Sequence, residues 1–179
     1  MYRHRLIEAN GQAHDLLLGS SFFGDDAPAL AQLALQDGQR YTQVNRRPYL
    51  DGRPFTGTIE RHWGAIYHFR EGLLNDPEPM VPAVYEPGPR GQMCFYKDGQ
   101  RDDPAEGVPA LIPQSGTPVF YRRGVPRPGG QVAMDERALA MVRGAAEVAR
   151  ASRSSARQLQ EPMAVQQGPR QVHDLRMRA

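Results

Sequence analysis

Phe69-Arg70-Glu71-Gly72, Tyr96-Lys97-Asp98-Gly99 and Tyr121-Arg122-Arg123-Gly124 spell one pattern three times: an aromatic, two polar residues and a glycine. Asp76-Pro77 and Pro82-Ala83-Val84 follow the first glycine. Asp103-Pro104 and Pro109-Ala110-Leu111 follow the second, in the same register. Phe69 and Tyr96 stand 27 residues apart, and Tyr96 and Tyr121 stand 25 apart. A period of that size marks stacked supersecondary units. Tyr49-Leu50-Asp51-Gly52 carries the same signature earlier, as the start of a degenerate extra unit.

Each unit reads as strand, polar turn, proline-bounded connection, strand, turn. Asp98-Gly99 offers the positive φ that tight hairpin turns demand. Gln92 to Tyr96 is apolar and short enough for one strand. The Asp-Pro pairs bend the chain and remove a backbone donor, so they belong in connections. Pro109 to Ile112 reads as a second short strand, and Gly116 and Pro118 punctuate the return to Val119-Phe120-Tyr121.

Phe95, Tyr96, Gly99, Asp102, Asp103, Pro109 and Ala110, preceded by Phe69, Gly72, Asp76, Pro82, Ala83 and Val84, carry a resemblance. Over residues 68–127 the pattern resembles the MORN-like β-hairpin repeats, whose units read roughly Trp/Tyr-Tyr-x-x-Gly-x-x-His-Arg-x-Asp-Gly-Pro-Ala-Val. This chain has Asp-Pro where the family often has Asp-Gly, and it lacks the His-Arg after the turn. The resemblance implies a rigid binding or scaffolding surface and transfers no catalytic residue.

The 179 residues suit one ordinary domain with a tail. Sixteen prolines and eighteen glycines favour short strands and many turns over helices. A formal charge of +2 does not by itself imply a nucleic-acid partner. The single cysteine, Cys94, excludes an intramolecular disulfide and suits a reducing cytosol. No signal-length apolar segment and no membrane-length run is present, so a soluble cytoplasmic protein is expected.

The fold class expected is α+β: mainly antiparallel β built on hairpin repeats, with a short N-terminal helix and a longer C-terminal one. Residues 1–130 form a single β-rich domain, with an N-terminal hairpin and helix over 1–48 and the repeats over 49–127. Asn10-Gly11 predicts a type I′ turn between strands ending near Glu8 and starting near Ala13. Phe22 and Phe23 are read as core anchors. Asp25-Asp26-Ala27-Pro28 reads as a helix start, Leu30, Leu33 and Ala34 as its apolar face, and Gly38 as its stop.

After the Pro126–Gly130 linker, an amphipathic helix is expected within 131–161, with its centre over 135–157. Met134, Ala138, Met141, Ala145 and Val148 form its apolar face. That face should dock on the chain's own sheet, with self-association as the runner-up. Residues 162–179 carry too little apolar surface to order by themselves.

The five histidines show no metal-ligand spacing, and no Cys pair, Gly-x-Ser-x-Gly, P-loop or dinucleotide fingerprint occurs. No cofactor or metal is expected. Asp76 and Asp103 hold equivalent repeat positions, which argues for turn geometry over catalysis. Cys94, between Met93 and Phe95, reads as a small buried hydrophobe. The chain is thus more consistent with a binding protein than an enzyme. Hydrolase or transferase chemistry around His62, His68 and Asp76 is the weakest reading.

The expected function is a non-enzymatic protein-binding adaptor or scaffold, its rigid β surface presenting Trp63, Tyr67, Tyr85, Tyr96 and Tyr121 to a protein partner. The alternative is a nucleic-acid accessory protein gripping phosphates through Arg143, Arg150, Arg153 and Arg157. Homo-oligomerisation through the 135–157 helix is the third possibility for partners.

Overall fold

The computed structural model describes residues 2–18, 30–35, 38–128, 135–137 and 139–144. The chain divides into two compact units, 1–147 and 148–179, and every described residue lies in the first. In chain order the strands are β1 (Tyr2–Glu8), β2 (Ala13–Leu18), β3 (Leu30–Ala34), β4 (Arg40–Val44), β5 (Arg47–Leu50) and β6 (Arg53–Pro54). Then come β7 (Gly57–Glu60), β8 (Ile66–Arg70), β9 (Leu73–Leu74), β10 (Val84–Glu86) and β11 (Gln92–Cys94). The last are β12 (Tyr96–Lys97), β13 (Gln100–Arg101), β14 (Leu111–Pro113), β15 (Tyr121–Arg122) and β16 (Val125–Pro126). Helix α1 runs over 136–144, residue 138 excepted from description. The fold is α+β and dominated by antiparallel sheet.

The main sheet runs β14-β11-β10-β8-β7-β1-β2, with β9 on β8. Its register explains the core. Leu6 pairs Ile59, Ile59 pairs Tyr67, and Tyr67 pairs Val84, so this row shares one face. One residue along, Ile66 pairs Tyr85, Tyr85 pairs Met93, and Met93 pairs Ile112, and this row points the other way. The first face packs with Leu35, Tyr41 and Leu50 of the β3-β4-β5-β6 sheet and its turn. The second packs with Val108, Ala110 and the helical Leu139 and Val142. With both faces covered, successive residues are buried in β10 (Val84, Tyr85) and β11 (Met93, Cys94).

That double cover corrects one expectation. Tyr85, read as an outward binding residue, is 6% exposed within the second core. Phe95 is fully buried beside it.

The repeat is a row of four two-residue hairpins, β5–β6, β8–β9, β12–β13 and β15–β16. Their turns are Asp51-Gly52, Glu71-Gly72, Asp98-Gly99 and Arg123-Gly124, all eight residues at positive φ, the type I′ geometry. Each hairpin is tied to its predecessor. The Gly72 amide donates to Phe55 O at 2.8 Å, Gly99 to Leu74 O at 2.9 Å and Gly124 to Arg101 O at 2.8 Å. The side chains of Thr56, Asn75 and Asp102 accept the amides of Glu71, Asp98 and Arg123, the residues before those glycines. Tyr49-Leu50-Asp51-Gly52 is therefore a true first hairpin of the row.

The N-terminal hairpin forms as expected, but its turn is different. Only Gly11 has positive φ, and the Glu8 amide closes a longer loop onto Gln12 O at 2.8 Å. Asn10 stays at negative φ and uses its side chain to accept the Gln12 amide.

The N-terminal helix needs correction where it is described: residues 30–34 are strand β3, paired along its length with β4. Gly38, read as a helix stop, sits at φ +86° in the β3–β4 turn, its amide on Leu35 O. A glycine in the left-handed region ends either element, so the signal was real and its context misread. Phe22, Phe23, Asp25, Asp26 and Pro28 lie outside the described residues.

The C-terminal helix starts at the expected place, with the Asp135 carboxylate accepting the Arg137 amide as an N-cap. Its packed face is not the one expected. Met141 is 68% exposed, while Leu139 and Val142, one position round the helix, are buried against the sheet. Leucine and valine bury more apolar area at i, i+3 than alanine and methionine, so they win the interface. The helix does dock on the chain's own sheet. Met134, Ala138, Ala145, Val148 and the stretch to 161 lie outside the described residues.

Candidate binding surface around Trp63

At one end of the main sheet two loops meet. The β7–β8 loop closes with the Arg61 amide on Ala65 O at 2.8 Å and the Gly64 amide on Arg61 O at 2.9 Å. The β10–β11 loop, Pro87 to Gly91, closes with the Gly91 amide on Gly88 O at 2.8 Å. Gly91 admits no side chain, because a Cβ there would stand 2.0 Å from Glu86 O. Neighbouring strands therefore present a five-residue loop holding Trp63 beside a proline-glycine loop. The two enclose a groove of about 480 Å³ lined by Trp63, Glu86 and residues 87–91.

Trp63 is 46% exposed, and the other exposed large hydrophobics among the described residues, Val44, Val125 and Met141, are not aromatic. It is nevertheless held. The Arg61 guanidinium lies 5.0 Å from its ring centroid and 4.3 Å from that of Tyr67. The His62 ring meets it edge-on at 4.8 Å, and the buried His4 ring meets both. Burial, then the neighbouring His62 and Arg61 charges, push His4 down to about 4, so it is neutral at physiological pH.

Glu86 forms the groove wall. Tyr67 donates its hydroxyl to one carboxylate oxygen, and Gln92 Nε2 donates to the other at 2.9 Å. Burial, the larger effect, raises the Tyr67 pKa. Burial also lowers that of Arg61, against the opposing pull of Tyr67, Glu86 and Tyr41.

A second aromatic pair lies on the hairpin row. Arg101 donates to the hydroxyls of Tyr96 at 3.3 Å and Tyr121 at 3.2 Å, spanning consecutive repeats. Trp63 and Tyr67 are thus brought together by Arg61, and Tyr96 and Tyr121 by Arg101. Tyr85 is separate, in the core. Arg143 is exposed on α1, and Arg150, Arg153 and Arg157 lie outside the described residues. The arginines and Glu86 that organise both clusters carried no motif. Arg101 had one weak signal, a charge at the repeat position where the preceding unit has Leu74.

The residues of the enzymatic reading are not assembled. His62 belongs to the loop before β8, whereas His68 is buried within β8 and shares a hydrogen bond of 2.9 Å with Thr58. The Asp76 carboxylate is committed to two backbone amides. Cys94 is buried, and burial pushes its thiol up to about 11. Among the described residues no three His, Cys, Asp or Glu side chains are placed to hold a metal ion. No described helix is long and apolar enough to cross a membrane. No family model, curated protein or solved structure matches this chain.

Proposed function

We propose that the protein is a non-enzymatic adaptor of the cytoplasm that engages a partner protein through the surface around Trp63. In this reading the stacked hairpins are MORN-like repeats that keep the surface rigid. The observation that supports it is Trp63 itself: a half-exposed tryptophan, pre-ordered by Arg61 and His62, at the lip of a groove. Tryptophan and arginine dominate interface hot spots. An aromatic already fixed by its neighbours loses little rotamer freedom on binding. The Pro87–Gly91 loop adds a rigid opposite wall.

The test compares proteins retained from a cell lysate by the wild type and by Trp63→Ala. A partner held by the first and lost by the second, at matched unfolding midpoints, supports the proposal. Identical retention by both would dismiss it. Retention that collapses with added salt and competes with nucleic acid would favour the phosphate-gripping alternative.

A further inference from the structure

The hairpin row has two ends, and each keeps one half of the joint that links its members. Inside the row the joints are alike. The glycine amide of each incoming hairpin donates to a carbonyl of the hairpin before it. The glycine itself, having no Cβ, lies against that hairpin. A Cβ on Gly99 would stand 3.1 Å from Leu73 Cδ2, and one on Gly124 would stand 3.7 Å from Gln100 Cβ. We infer that the ends of the row dock on each other, a second copy of this chain seating its first hairpin on the last hairpin of its neighbour.

At the tail, Val125 holds the place of Leu73 and Gln100, and it is 65% exposed. Pro126 pairs with Tyr121 one step beyond the residues that close the turn, the non-hydrogen-bonded kind of pair, so its carbonyl points away from its partner strand. That is the setting in which Leu74 O and Arg101 O receive the glycine of the next hairpin. Terminal units of repeat arrays carry a polar outer face, and this one carries an open valine.

At the head, the Asp51-Gly52 turn is exposed. A Cβ on Gly52 would meet nothing within 4 Å, whereas those on Gly72, Gly99 and Gly124 would meet the preceding hairpin. Gly52 sits at φ +76°, as Gly72, Gly99 and Gly124 do at +74° to +79°. Its amide is thus aimed like theirs, with no preceding hairpin to receive it.

The rest of the joint also matches. Asn75 and Asp102 each accept the amide of the first turn residue of the next hairpin. The tail has Arg127 at that position, its amide on Phe120 O as those of Asn75 and Asp102 are on His68 O and Phe95 O. Arginine cannot accept. The head needs no acceptor there, because the Asp51 amide already donates to Arg40 O of its own chain at 2.9 Å. Asp51 brings a carboxylate instead, toward the Arg127 guanidinium, which reaches its own Asp103 at 3.5 Å. Tail against tail would bring Arg122, Arg123 and Arg127 of two copies together, so charge favours head on tail. The contact is heterologous and leaves one end open on each copy, so it extends into short filaments. It covers only a hairpin end, less than a standard interface, and is therefore transient.

By the register of the internal joints, Arg53 of one copy comes beside Val125 of the next, at the ~5 Å spacing of paired strands, which a disulfide spans. The experiment mixes full-length Arg53→Cys with full-length Val125→Cys under mild oxidation. Both positions are exposed, and Cys94 is buried. Expected is a 53–125 disulfide in roughly tenfold excess over either same-site product, as one decade of affinity between orientations gives. In the wild type the Gly52 amide resonance should move with protein concentration. Val125→Glu should abolish that movement, and Trp63→Ala should leave it unchanged. A statistical mixture of the three disulfides, a dominant 125–125 product, or a Gly52 resonance indifferent to concentration would overturn the inference.

Discussion

The Asp76 carboxylate accepts the backbone amide of Tyr96, twenty residues on, at 2.9 Å. The same oxygen takes the Ala83 amide at 2.9 Å. Asp103 repeats the arrangement in the following unit, accepting Ala110 and Tyr121 amides at 2.8 Å each. One side chain thus closes its own proline-bounded connection and pins the strand that opens the next hairpin. This is why the aspartates recur with the period, and why they serve the backbone rather than a substrate.

Removing that oxygen should therefore cost more than removing an ordinary surface carboxylate. Asp76→Ala leaves two part-buried amides without their acceptor, at about 1–3 kcal/mol each. Asp76→Asn retains an equivalent oxygen and should cost much less. Urea unfolding of the two variants checks this, and equal midpoints would refute the staple.

Burial pushes the Asp76 carboxyl up to about 7 from 3.8, helped by the Asp102 charge and opposed by its two amide donors. In the folded protein the group therefore holds a proton that the unfolded chain has released. Its contribution to stability is full below about pH 4 and is lost as pH rises through about 7. His4 acts in the other direction: its depressed folded value removes stability as pH falls toward about 4. The difference between wild type and Asp76→Asn isolates the first contribution. Stability measured from pH 4 to 8 should show the wild type declining relative to the variant.

Gly57 begins β7 at φ +151°, and a Cβ there would lie 2.1 Å from Ile7 O and 2.7 Å from the Phe55 ring. Neither backbone nor a buried ring can yield. Gly57→Ala should destabilise by about 3 kcal/mol or more, combining backbone strain with overpacking. A wild-type denaturation midpoint would contradict it.

On α1, Met141→Glu should change stability by less than about 0.5 kcal/mol, because the side chain faces solvent. Val142→Asp, one residue on, buries a carboxylate in the core and should cost about 3 kcal/mol or more. Thermal unfolding of the pair reads the orientation of the helix directly.

The β-rich class, the hairpin row, the N-terminal hairpin and the start of the C-terminal helix were all written in local sequence. Each depends on a turn or cap whose residues lie within a few positions: Asp98-Gly99, Asn10-Gly11, Asp135. Even the structural role of Asp76 and Asp103 could be read, because a repeat copies its backbone requirements along with its period. The strand at Leu30–Ala34 could not, since its apolar spacing fits both periods and the pairing with β4 decides between them.

What the sequence by itself determined is where the turns fall, the period and hence the antiparallel hairpin architecture. Those follow from φ preferences and donor removal at glycine, asparagine and proline, and neighbours along the chain suffice to express them. Only the tertiary structure decided which faces are covered. Burial of the main sheet on both sides took Tyr85 into the core, turned Leu139 and Val142 inward in place of Met141, and left Trp63 at an open end. The groove at Trp63 and the Arg61–Tyr67–Glu86 cluster join residues from β7, β8, β10 and their loops. Their distances are set by sheet register and packing, and no local pattern encodes such a relation.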